Sequence, residues 1–267
     1  MKKNVLFISF VVSLGGFLFG FDAGIISGVM SYVGPEFNLN DIQTGWVVSS
    51  PSFAAMIAML VAGRLSDLIG RKKILIVVAF LYSFSAITSA FSFSYETLYL
   101  SRMIGGIAFG TALILAPTYI AEISNAENRG RLVSIQQLNI VLGFFAAFLS
   151  NYFFNEYNSS GSEFLNDNNV WRWMLGVEFI PAILYFFALY FVPKSPRWLY
   201  VRGFINESKS VLKKLHGKSK YLIELDSIKQ SIKSNVKSKK VPLKTLLKPS
   251  LRFIMIVGLT LGILHYF

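Results

Sequence analysis

Residues 5–30 read VLFISFVVSLGGFLFGFDAGIISGVM. A helix needs about 20 apolar residues to cross a hydrocarbon core about 30 Å thick, and this run exceeds that while carrying one aspartate, Asp22, in its interior. Lys2 and Lys3 precede it, as they would in a secretory leader. The run is too long for a leader and lacks a small-residue cleavage site, so it reads as a retained first span. Working outward, further apolar runs occupy 42–63, 74–94, 97–121, 133–154 and 172–192, and a shorter one fills 251–267.

The 267 residues are 54% hydrophobic and 15% charged, with a mean hydropathy of +0.53. Soluble domains carry nearer a quarter charged residues, so the soluble-enzyme classes are excluded and no enzyme is expected. No cysteine is present, which removes disulfides and thiolate metal sites. His216 and His265 stand apart in the sequence, and neither a metal nor any other cofactor is expected.

The net charge of +12 comes from Lys and Arg in blocks between apolar runs. That is the pattern of membrane topology, not of a groove following nucleic-acid phosphates. The connections 31–41, 91–96 and 155–171 contain no Lys or Arg. The alternate ones contain Lys2 and Lys3; Arg64, Arg71, Lys72 and Lys73; Arg129 and Arg131; and sixteen basic residues from Lys194 to Arg252. This alternation expects a multi-pass protein of the cell (inner) membrane with a cytoplasmic amino terminus. The chain divides into a six-helix bundle at 1–192, a basic cytoplasmic linker at 193–250 and a truncated seventh span at 251–267. In the linker, Ser195-Pro196 is a helix-start signal. Leu222, Leu225, Ile228 and Ile232 then recur at helical spacing. Two readings of this segment stay open: a basic surface near anionic lipid, or a latch between two halves of a transporter.

A charge inside a span costs on the order of 3 kcal/mol on insertion scales and needs a partner or a task. Asp22, Arg102 and Glu178 are such charges, and the run boundaries place all three in one outer-half layer. An arginine keeps its proton, so Asp22 and Glu178 are the groups able to carry one. The arrangement expects proton coupling, with a static ion pair as the alternative. Gly16, Gly20, Gly24 and Gly28, and again Gly106 and Gly110, lie four apart and mark close helix packing. Gln136, Gln137 and Asn139 offer donors and acceptors suited to hydroxyls, and Phe19 and Phe21 offer aromatic surface to a sugar ring. Arg64, Asp67, Arg71, Glu122, Arg129 and Arg197 gather in the basic connections. There they form either a solvated positive-inside cluster or salt bridges that break and re-form as halves rock.

These stretches resemble the sugar porter family of the major facilitator superfamily, which includes bacterial sugar/proton symporters and glucose facilitators. The resemblance rests on FGFDAGIISG at 19–28, GRLSDLIGRKK at 63–73, RMIGG at 102–106, PTYIAEIS at 117–124, NRGRLVSIQQ at 128–137, WRWM at 171–174 and PKSPRWL at 193–199. It implies an all-α membrane protein: the amino-terminal six-helix bundle of that fold, cytoplasmic helices and a truncated seventh span. It also implies transport of a sugar (pentose, hexose or polyol) by alternating access, coupled to proton symport. Asp22 then matches the proton-carrying carboxylate, Arg102 its partner, Gln137 a sugar-binding glutamine and Phe19 an aromatic lining the sugar site. Asp67, Arg71, Glu122 and Arg129 match the network that holds the outward-facing state. Three departures stand out. Phe144 replaces a second glutamine of several symporters, and Lys194 replaces the glutamate of the PESPR block, which would weaken a bridge to Arg129 or Arg131. The chain also reaches Phe267 before the family's QQxxGxN pattern, so a separately encoded or missing carboxy-terminal half is the expected partner, besides sugar, proton and bilayer. The alternatives are a transport-incompetent fragment and an uncoupled facilitator.

Overall fold

The computed structural model describes residues 3–125, 127–159, 166, 169–217, 219–237, 251–253, 255–258 and 260. Every regular element among them is a helix: α1 Lys3–Glu36, α2 Asp41–Ile69, α3 Arg71–Ala90, α4 Tyr95–Ile123, α5 Arg129–Ser159, α6 Val170–Gly176, α7 Phe179–Tyr190, α8 Pro196–Val201, α9 Ile205–His216 and α10 Tyr221–Lys237. Among the described residues six spans are long and apolar enough to cross a membrane, with α6 and α7 together supplying the sixth. The chain forms two units, Met1–Tyr221 and Leu222–Phe267. In the second, the expected seventh span is helical at 251–253, 255–258 and 260, and the rest of that span lies outside the described residues.

The short connections have local causes. Asn40 and Gln43 form a reciprocal capping box that starts α2, and Ser94 with Thr97 does the same for α4, satisfying N–H groups that a helix start leaves without partners. Gly70 separates α2 from α3 with φ +104°, a backbone conformation that suits only glycine. The sixth span bends at Val177–Glu178 because Pro181 brings no N–H and crowds the carbonyl four residues back. The ladder there falls to i→i+3 bonds, with the Glu178 N–H on Leu175 O and the Ile180 N–H on Val177 O.

Two long pairings build the bundle: α1 lies along α5 and α2 along α4, with α3 bridging α4 and α7. Missing side chains make the first two possible. A Cβ on Gly20 would lie 2.1 Å from Ile140 O, and one on Gly143 2.1 Å from Phe17 O. A Cβ on Gly106 would lie 2.2 Å from Pro51 O. Backbones therefore touch, as expected where lipid provides no hydrophobic drive and van der Waals contact must hold helices together.

The core has two clusters. One contains Val12, Leu18, Ala108, Leu115 and Ala182, and the other Phe21, Ile25, Leu98, Met174 and Leu175. On each of three spans the junction between clusters carries the intramembrane charge: Asp22 beside Phe21, Arg102 between Leu98 and Ala108, and Glu178 between Leu175 and Ala182.

Candidate functional site

Arg102 is 2% exposed, Asp22 8% and Glu178 5%. The guanidinium grips the carboxylate with both terminal nitrogens, Nη1 to Oδ1 at 3.1 Å and Nη2 to Oδ2 at 3.3 Å. Its Nε donates to Val47 O at 3.2 Å, tying the pair to α2. Two parallel charge-assisted bonds fix both planes and add strength over a single contact. Glu178 lies within electrostatic reach of both Asp22 and Arg102, while the guanidinium's two terminal nitrogens are taken by Asp22. The layer expected from the sequence is thus assembled, although its depth differs. The first helix runs on to Glu36, past Gly34-Pro35, so Asp22 lies about 21 Å of helix from that end, where a helix ending with the 5–30 run would leave about 12 Å.

Two buried tyrosines near the layer were not singled out in the sequence. Tyr82 Oη donates to Gly15 O at 3.0 Å and Tyr185 Oη to Val12 O at 3.3 Å, and both side chains are almost fully enclosed. Each hydroxyl bonds a carbonyl of α1 ahead of Asp22, which holds that helix against α3 and α7. A tyrosine in mid-span, polar-tipped in an apolar run, is the signal that finds them.

The candidate sugar residues separate into two groups. Gln137 is exposed on α5, and the half-buried Phe19 ring lies 4.8 Å from that of Phe109. Gln136 and Asn139 are buried behind them. Asn139 Nδ2 donates to Ser13 Oγ at 2.6 Å, and Gln136 Nε2 reaches Leu113 O at 3.5 Å while its Oε1 has no partner among the described residues. Phe144 fits against Gly20 and Gly24 of α1.

At the basic end Arg71 Nη2 bridges Asp67 and Glu122, and Nη1 donates to Ser66 O at 3.0 Å. Arg129 and Arg197 line the same 690 Å³ cleft as Asp67, Arg71 and Glu122. Arg64 is exposed and outside it. Ser195, the helix start expected from the sequence, also closes the cleft, together with Trp198 and Arg202, which the sequence did not mark for this role. Ser195 Oγ donates to Glu122 Oε2 and accepts the Trp198 N–H at 3.1 Å, capping α8. Trp198 Nε1 and Arg202 Nη2 both bond Asp67 O, at 3.0 and 3.1 Å. These carbonyls end α2, where a helix has no N–H of its own to offer. Ser195→Ala removes one hydroxyl that serves two partners, and is expected to cost about 1–2 kcal/mol. Its melting temperature in detergent should fall while Lys194→Gln, at the adjacent residue, stays near wild type. Lys194 meets neither Arg129 nor Arg131 but pairs with Glu207 at 2.9 Å.

A second cluster, at the opposite end, gathers on the WRWM block. Arg172 bonds Glu36 through Nη2 at 3.0 Å and Ser92 O at 3.2 Å, and its guanidinium lies 4.0 Å over the Trp171 ring. Trp171 Nε1 donates to the same Glu36. Among the described residues no group of His, Cys, Asp and Glu is placed to hold a metal.

With the geometry in place, the similarities to known proteins become interpretable. Residues 8–265 match the family described as "Sugar (and other) transporter". The arabinose-proton symporter of Bacillus subtilis is 35% identical over 98% of this chain and 55% of its own length. The galactose-proton symporter of Escherichia coli K12 is 36% identical over 86% of this chain and 48% of its own length. The proton:xylose symporter XylE, bound to 6-bromo-6-deoxy-D-glucose, superposes with a TM-score of 0.81 at 32% identity, covering 88% of this chain and 54% of that one. The chain therefore spans about half the length of these relatives. They are transporters and not enzymes, and the chain belongs to the sugar porter family of the major facilitator superfamily.

Proposed function

We propose that this chain is the amino-terminal half of a sugar transporter that couples a pentose, hexose or polyol to proton symport. The observation that carries the proposal is the buried, bidentate Asp22–Arg102 pair with Glu178 beside it. One cation paired with Asp22 cannot also neutralise Glu178, the second buried acid of the layer, so a proton taken from one membrane face has a place to sit. Rocking of the two halves around a midplane site would change the spacing of the layer and hand the proton on. The relatives whose names print sugar-proton symport support the coupling.

In this reading Gln137 and Phe19 present hydrogen bonds and an aromatic face to the sugar, while Gln136 and Asn139 stiffen the wall from behind. Asp67, Arg71, Glu122, Arg129 and Arg197 form the gate at the cytoplasmic face, with Arg64 at its edge. The charge placement in the connections supports an amino terminus in the cytoplasm and, with it, a place in the inner membrane. No cofactor enters the mechanism.

The test is sugar-driven alkalinisation in vesicles bearing a transporter that contains this chain joined to a carboxy-terminal half. Asp22→Asn should lower proton movement by at least tenfold while sugar still binds. Undiminished proton movement in that variant, or uptake that ignores pH in the parent, would leave an uncoupled facilitator. Vesicles bearing the 267 residues alone should not take up sugar, and uptake there would refute the reading as a half.

A further inference from the structure

A second cavity of about 410 Å³ lies at the basic end, with Arg71 and Trp198 as the wall it has in common with the Arg71–Glu122 cleft. Lys72 and Lys73 from the first turn of α3, and Lys194 from the segment after α7, line it. Two of the lysines are held in place. Lys72 Nζ donates to Tyr190 O at 2.8 Å, and Lys194 Nζ pairs with Glu207 at 2.9 Å. An ammonium has three N–H donors, so each of these two keeps two for another acceptor. Lys73 is exposed and has no ion pair among the described residues. Arg71, also at this wall, is already committed to Asp67 and Glu122. Three ammonium groups thus face one carboxylate, Glu207, across a space large enough for a phosphodiester.

The rim gives the second observation. Tyr190 at the end of α7 and Phe204 line the cavity and are 56% and 54% exposed, and their chain neighbours Phe191 and Ile205 are exposed as well. Bulky apolar side chains exposed on both sides of a lysine cavity suit the boundary between acyl chains and water. A free soluble anion would use the charges and gain nothing from the apolar rim. A lipid uses both.

We propose that this cavity binds the phosphate headgroup of an anionic phospholipid, with Lys72, Lys73 and Lys194 on the phosphate and the acyl chains against Tyr190, Phe191 and Phe204. The site does not depend on the membrane orientation proposed above; only its place in the cytoplasmic leaflet rests on that reading. Occupancy would tie α3, α7 and α9 together at one point of the membrane surface.

The experiment is native mass spectrometry of the 267-residue chain, delipidated and then titrated with phosphatidylglycerol or phosphatidylcholine in mixed micelles. The chain should retain one phosphatidylglycerol in preference to phosphatidylcholine, and millimolar inorganic phosphate should not displace it. Lys73→Gln and Lys194→Gln should each lower that occupancy roughly five-fold, and Lys194→Arg should restore it. Lys214→Gln makes the same change of net charge on the exposed part of α9, away from the cavity, and should leave occupancy unchanged. Equal retention of the two lipids overturns the proposal, as does a Lys73→Gln/Lys194→Gln double variant that melts like the parent and retains phosphatidylglycerol as well. Displacement by inorganic phosphate overturns the lipid as the source. A change in sugar transport enters none of these readouts, so failure here is separable from failure of the symport reading.

Discussion

Arg102→Met is expected to destabilise the bundle by about 3–5 kcal/mol, more than any other single side-chain removal in the layer. Methionine fills much of the arginine's volume, so little of the loss comes from a cavity. The loss comes from Asp22, which would be left 8% exposed with neither of its two guanidinium bonds, and from Val47 O, which loses its donor. Removing one partner of a buried pair costs far more than removing both. Asp22→Asn/Arg102→Met should therefore recover most of the loss in a detergent melt. A double variant as unstable as the single one would show that the arginine acts through packing alone. The same comparison divides stability from coupling: the double variant is expected to fold and still move no protons.

Gly143→Val is the second large effect, and its cause is purely steric. A Cβ at Gly143 meets Phe17 O at 2.1 Å and Phe21 N at 2.9 Å. Both are backbone atoms that no rotamer change can withdraw. The helices must separate along α1 and α5, and with them go the Asn139–Ser13 bond and the bonds from Asn151 Nδ2 to Gly24 O and Ile25 O. Overpacking costs about 1–3 kcal/mol where side chains can yield. Here the expected result is loss of the monodisperse species on size-exclusion chromatography. Gly63→Ala is the internal contrast: it lies inside α2 with nothing within 4 Å of the added atom. It should be stabilising by about 0.5–1 kcal/mol, because alanine favours a helix interior over glycine. If both substitutions behave alike, glycine spacing and not backbone proximity is what matters.

Much of this architecture is legible in the sequence, because lipid imposes two coarse rules, length and charge placement. The spans of α2 to α5 follow from apolar length, and the Asp22–Arg102 pair follows from charges that have nowhere else to go. The glycine spacing on α1 marks a contact face, but a glycine carries no chemistry that names its neighbour, so α5 as the partner had to be seen. The continuation of α1 to Glu36 is hidden because Gly34-Pro35 usually ends a helix, although a proline near a helix end forfeits little. The bend before α7 does follow from Pro181, four residues beyond Val177, once the sixth run is read for its carbonyls and not for its apolarity. Ser195, Trp198 and Arg202 act largely on carbonyls and carboxylates about seventy to a hundred and thirty residues away. Partners at that range leave no local periodicity. Gln136 and Asn139 show the same limit: polarity in a span says that a partner is required, and whether it is substrate or Ser13 depends on which way α5 turns.

The pairing of α1 with later helices has a consequence for how the chain is made. Asp22 and Arg102 are 80 residues apart in sequence, and ribosomes add about 5–20 residues per second. The first helix therefore leaves the ribosome roughly 4–16 s before its counter-ion, and later still come Gly143 and the rest of α5. For that interval it has a carboxyl without a guanidinium and a row of bare glycines without a backbone to rest on. Entry of α1 into the bilayer is thus a provisional event, and the birth of α4 and α5 is what makes it permanent.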